Sequence, residues 1–118
     1  MVYYWIMSKP ENRPYSRYSR DAVQLLGRLI RRARIEQGLT AEALAERAAI
    51  SRGLMQRIER GEMGCAIGAV FEVATIVGVP LFDASPTELA ARVAETEYTL
   101  RLLPRSVRTS DRKVKDDF

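Results

Sequence analysis

At 118 residues the chain is one modest domain with tails, and an apolar content of 47% suits a packed core rather than wholesale disorder. It has no histidine and one cysteine, Cys65, so the commonest general base, the commonest zinc ligand and any internal disulfide framework are excluded together. The net charge of +4 and pI near 9.6 point to a polyanionic partner, and no apolar run reaches the roughly 18 residues needed to cross a membrane.

The basic excess is unevenly placed. Residues 1–20 carry +3 and residues 101–118 carry +3, whereas the middle, 21–100, carries −2. Basic flanks attract a phosphate backbone without sequence preference, although they also serve solubility alone. The first 20 residues read as a flexible N-terminal arm. Within it, 2–7 has strand-like aromatic composition, Pro10 and Pro14 break the remainder, and Met7 is an alternative natural start. The lone cysteine fits a reducing, cytoplasmic setting, with Cys65 read as an inert thiol. Trp5 and its tyrosine neighbours read as a dimer or core patch.

From Asp21 the pattern turns helical. Val23, Leu26, Ile30 and Ala33 recur at spacings of three and four, opposite Arg28, Arg31, Arg32 and Glu36. Gly38 is the stop. Thr40 then caps a short second helix over 41–47 with Leu44 and Ala45 inward. Ala48-Ala49-Ile50 is a tight connection, and Ser51 caps a third helix that buries Leu54 and Ile58 and ends at Gly61. A loop over 61–64 leads to a fourth helix, 66–77, with Val70, Val73, Ala74 and Val77 on its apolar face. Ser85-Pro86-Thr87-Glu88 is a capping box with proline at the first helical position. The fifth helix that it opens carries Leu89, Val93 and Leu100 and ends near 102. Pro104 begins a basic, polar tail. The expected architecture is therefore all-α: a compact five-helix helix-turn-helix bundle over 21–103, an arm over 1–20 and a tail over 104–118.

Two short capped helices joined by about three residues form the unit whose second helix enters the major groove. With Leu54 and Ile58 inward, the third helix presents Arg52, Gly53, Gln56 and Arg57 outward. Arginine and glutamine make paired hydrogen bonds to guanine and adenine edges. A solvated face on an ordinary bundle helix is the bland alternative. No nucleophile–base pair, metal-ligand cluster or phosphate loop is found, so neither catalysis nor a cofactor is expected, and no small-molecule effector is evident.

Several pieces fall in a specific order: Leu26-Gly27-Arg28-Leu29-Ile30-Arg31, Arg34, Gly38-Leu39-Thr40, Glu42-Ala43-Leu44-Ala45, Ser51-Arg52, Ile58-Glu59-Arg60-Gly61, and Ala74 through Gly78-Val79-Pro80. Over 22–80 they resemble the Xre/Cro-type helix-turn-helix family, which implies a lambda-repressor-like fold. The resemblance implies that Arg52, Gly53, Gln56 and Arg57 read bases. It likewise implies that Thr40, Ser51 and Arg60 hold the phosphate backbone, and that Arg34 pairs with Glu59 in a largely buried structural ion pair. The sequence departs from the family at Ala41, where glutamine is usual, at Ala49, where the turn glycine is usual, and at the often basic loop, here Glu62-Met63-Gly64-Cys65. Arg13, Arg17 and Arg20, or Arg105 and Arg108, would compensate as phosphate contacts.

A narrower resemblance rests on Arg17-Tyr18-Ser19 leading into Leu25-Leu26-Gly27, Ile67 through Ala74, Leu81-Phe82, Leu102 through Arg108, and Asp116-Asp117-Phe118. These stretches look like a HipB-type antitoxin, which implies a HipA-type kinase toxin as partner and autoregulation of the operon. A free-standing phage-type repressor and an interaction module that has lost DNA binding are the alternatives. The expected assembly is a homodimer on double-stranded DNA at a palindromic operator, with the fifth helix and a strand at 3–6 forming the seam.

Overall fold

The computed structural model describes residues 14–107. The strand expected near 2–7, Arg13 and Arg108 lie outside the described residues. Five α-helices follow in order: α1 (Arg17–Glu36), α2 (Ala41–Ala48), α3 (Arg52–Arg60), α4 (Ile67–Ile76) and α5 (Pro86–Leu102). No strand occurs among the described residues, and the fold is all-α.

Helix α1 starts four residues before the expected Asp21. Ser16 is its cap, with Oγ accepting from the Ser19 amide at 3.1 Å. Arg17 and Arg20 therefore ride on its first turn and are not part of an arm. The apolar period begins only at Val23, so the polar opening turn is silent to a pattern search, whereas the cap hydroxyl is not.

The next two starts use the same device. Thr40 Oγ1 accepts from Ala43 N and Ser51 Oγ from Leu54 N, each at 3.0 Å. The stops are left-handed residues: Gly38 (φ 71°), Ala49 (φ 58°), Gly61 (φ 76°) and Gly78 (φ 83°). After Ala49, the Ile50 amide donates back to Ala45 O at 3.0 Å and so satisfies a carbonyl that the helix leaves open. At α5 the capping box closes both ways: Glu88 N donates to Ser85 Oγ at 3.1 Å, and Ser85 N donates to Glu88 Oε1 at 2.9 Å.

Helices α1–α4 belong to one unit that ends at Asp83. Its packed pairs are α1 with α3 and α4, and α2 with α3 and α4. The centre is Ile30, Leu44, Ala45, Met55, Ile58, Val73, Ala74 and Val77. On α3 the inward stripe is Met55, Ile58 and Glu59, with Leu54 only half-buried. This corrects the expectation of Leu54 and Ile58: the stripe runs one residue further round the helix, which brings Met55 fully inside. The α4 expectation differs only in detail, since Val70 is half-buried beside buried Val73, Ala74 and Val77.

The second unit begins at Ala84 and holds α5. Among its described residues none is buried; Val93 and Leu100 are more than half exposed.

Candidate nucleic-acid interface

The position of α3 is set by a close approach to α1. A Cβ built on Gly27 would lie 2.5 Å from Ile58 O, 3.1 Å from Glu59 O and 3.2 Å from Gly61 N. Only hydrogen fits there. The reverse contact is as tight, because a Cβ on Gly61 would meet Gln24 Cα at 2.7 Å.

Beside this crossing, Arg34 and Glu59 form a two-pronged pair, with Arg34 Nε donating to Oε2 at 2.6 Å and Nη2 to Oε1 at 3.0 Å. Both residues are buried. Arg34 Nη1 also donates to Leu39 O at 2.9 Å, tying the α1–α2 connection to the same guanidinium. The hydrogen bond to Glu59 is the main cause that raises the Arg34 pKa above its ordinary value. Two more α1 arginines converge on Glu59. Arg28 Nη1 donates to the Glu59 carbonyl at 2.9 Å, and Arg31 Nη1 stands 3.6 Å from Oε1. Each binds the C-terminal half of α3, where a cation opposes the negative end of the helix dipole.

With Met55, Ile58 and Glu59 turned inward, Arg52, Gly53, Gln56 and Arg57 are all exposed on the opposite face of α3. Gly53 leaves open space, since a Cβ there would meet only Ser51 Oγ at 3.9 Å. Arg52 is 3.6 Å from Glu42 of α2. The hydroxyls of Thr40 and Ser51 sit at the starts of α2 and α3, where unpaired amides and the positive dipole end favour an anion. Arg60 is exposed at the end of α3. Arg20 joins Arg57 and Arg60 in lining an open cleft of about 360 Å³, and its Nε donates to Tyr15 O at 3.4 Å. Arg17 lies apart from that cleft and pairs with Asp21 at 3.6 Å. Arg105 is exposed in the stretch after α5.

The acidic loop after α3 turns toward these cations. Glu62 accepts from Arg57 Nε at 3.1 Å and from Arg60 Nε and Nη2 at 2.9 and 2.7 Å. Hydrogen bonds from Arg60 first, and then Arg57, hold its carboxyl below the usual carboxylate range. Partial burial instead pushes the Cys65 thiol up.

Sequence reasoning missed four residues here: Gly27, Arg28, Arg31 and Glu62. Gly27 had a usable signal, because a glycine inside a strongly periodic helix costs about 1 kcal/mol against alanine and needs a packing reason. The arginines had none, since they sit on what reads as a solvated face. Among the described residues no group of three or more His, Cys, Asp or Glu could hold a metal ion, and no helix is long and apolar enough to cross a membrane.

Comparison with known proteins agrees with this geometry. A family model described as a helix-turn-helix domain matches residues 25–91, more than half of the chain. No curated protein and no solved structure gives a significant match. Two capped helices with a short left-handed turn, the second exposing arginines and glutamine, thus stand inside the matched span, and the chain belongs to the helix-turn-helix domain family of DNA-binding regulators.

Proposed function

We propose that the protein is a sequence-specific transcriptional repressor that binds a palindromic operator as a homodimer, with Arg52, Gly53, Gln56 and Arg57 reading base edges. The single observation that carries this reading is the outer face of α3, where the four residues stand exposed while the opposite face is locked to α1. Thr40, Ser51, Arg60, Arg20 and Arg17 supply phosphate contacts that fix register, joined by Arg13 from outside the described residues. One α3 covers about half a site, so specific affinity requires a second copy placed one helical turn away. The exposed Val93 and Leu100 of α5 are the apolar surface offered for that pairing.

The test is to sequence genomic fragments retained by the protein and to titrate the recovered site with Arg57→Ala. Loss of about 1–3 kcal/mol of binding, with relaxed selectivity at one base position, is expected. Arg17→Ala with Arg20→Ala should weaken all duplexes alike and flatten the salt dependence. An Arg57→Ala protein with wild-type affinity and selectivity refutes the reading.

The finer role is that of a cytoplasmic antitoxin that neutralises a HipA-type kinase and represses its own operon. It is supported by the stretches Ile67–Ala74, Leu81-Phe82 and Leu102–Arg108 that resemble HipB-type antitoxins. Co-purification with a kinase from the native host supports it. Operator binding with no such partner returns the protein to the free-standing repressor class.

A further inference from the structure

The carboxylate of Glu62 occupies two guanidinium groups of the reading helix at once. Its Oε1 takes Arg57 Nε, and its Oε2 takes Arg60 through both Nε and Nη2, at 3.1, 2.9 and 2.7 Å. Charge-assisted hydrogen bonds from guanidinium N–H groups to an anionic oxygen are also how arginine holds a phosphate. The three side chains share the open cleft that Arg20 lines, and each is about half exposed, at 44%, 58% and 41%. Hydrogen bonds in such a place exchange with a solvent-borne anion at little desolvation cost.

We propose that Glu62 is an internal competitor for DNA, a residue that lowers affinity for every duplex by neutralising the phosphate-contacting Arg60, and by holding the base-reading Arg57 beside it, until a backbone phosphate displaces it. This rests on the reading of α3 as the DNA-contacting helix. The phosphate term is sequence-independent and makes up most of non-specific binding. By holding Arg60, a resident acid therefore weakens capture by the large excess of wrong sites, and leaves the protein more dependent on base contacts.

The experiment measures binding of a fluorescent mixed-sequence duplex, about 20 base pairs long, between 50 and 200 mM salt. The proteins are the full-length wild type, Glu62→Gln, Glu62→Gln with Arg60→Ala, and Glu36→Gln as a matched loss of one exposed acid. Glu62→Gln should bind about 3- to 10-fold tighter, because two exposed pairs no longer oppose binding, and its log-log salt slope should steepen by about one. Arg60→Ala should remove most of that gain, and Glu36→Gln should change affinity less than about two-fold. A Glu62→Gln protein that folds normally and binds no tighter than wild type, or more weakly, overturns the proposal while leaving the DNA reading intact. If neither protein binds any duplex in a salt-dependent way, the DNA reading itself fails and takes the proposal with it.

Discussion

Alanine at Gly27 should destabilise the protein although it removes a glycine from the middle of a helix. In an open helical position, Gly→Ala stabilises by about 1 kcal/mol, because the unfolded chain loses freedom and helix propensity rises. At Gly27 the added methyl would stand 2.5 Å from Ile58 O, with Glu59 O and Gly61 N at 3.1 and 3.2 Å. All three neighbours are backbone atoms, so no rotamer change relieves the contact. Helix α3 must back away by several tenths of an ångström, and the Arg34–Glu59 pair that spans the same gap stretches with it. Overpacking of this kind costs about 1–3 kcal/mol and more where the backbone must shift. With three backbone atoms in the way the upper part of that range applies, and after the propensity gain a net loss of about 1–2 kcal/mol is expected, or roughly 4–16 °C in Tm for a domain of this size. Gly68, on α4, is the control, because a Cβ there has nothing within 4 Å, and Gly68→Ala should stabilise by up to about 1 kcal/mol. Urea titrations followed by circular dichroism, with slopes compared, measure both. A Gly27→Ala protein as stable as wild type refutes the close approach of α1 and α3, and with it the argument for how α3 is held.

Three further outcomes follow from the same contacts. Either Arg34→Met or Glu59→Gln alone should cost about 3–5 kcal/mol in urea unfolding, whereas the double change should recover a large part of it, since it leaves no buried charge stranded; a double variant as unstable as the sum excludes coupling. Ala49→Gly should raise stability by about 0.5–1 kcal/mol, because Ala49 holds φ 58° at the α2–α3 turn, and a lower Tm would count against strain there. The Cys65 thiol, pushed above its ordinary pKa mainly by burial, should react with iodoacetamide at pH 8 more slowly than a free thiol does. Unfolding in urea should abolish that difference.

Much of the fold was legible because its signals are local. The Thr40, Ser51 and Ser85 caps, the αL stops at Gly38 and Gly61, and the three-four apolar spacing on α1 and α4 each need only a few neighbouring residues. The outer face of α3 was read from Leu54 and Ile58, and its exposure holds although Met55 is the more buried, since a helix that turns one side inward must turn the other out. Where local signals were weak, boundaries and faces moved. The first turn of α1 carries no apolar period, and Met55 competed with Leu54 for an inward position that helix spacing leaves degenerate.

What the linear chain determined, then, was the set of helices, their ends and the identity of the cations offered outward, because caps, stops and periodicity act over one or two turns. Only the tertiary structure decided which cations remain available. Arg28, Arg31 and Arg34 look interchangeable along α1, yet all three converge on Glu59. Arg57 and Arg60 look free along α3, yet both lie under Glu62. Such pairings form across turns and between helices, and depend on how closely Gly27 lets α3 approach.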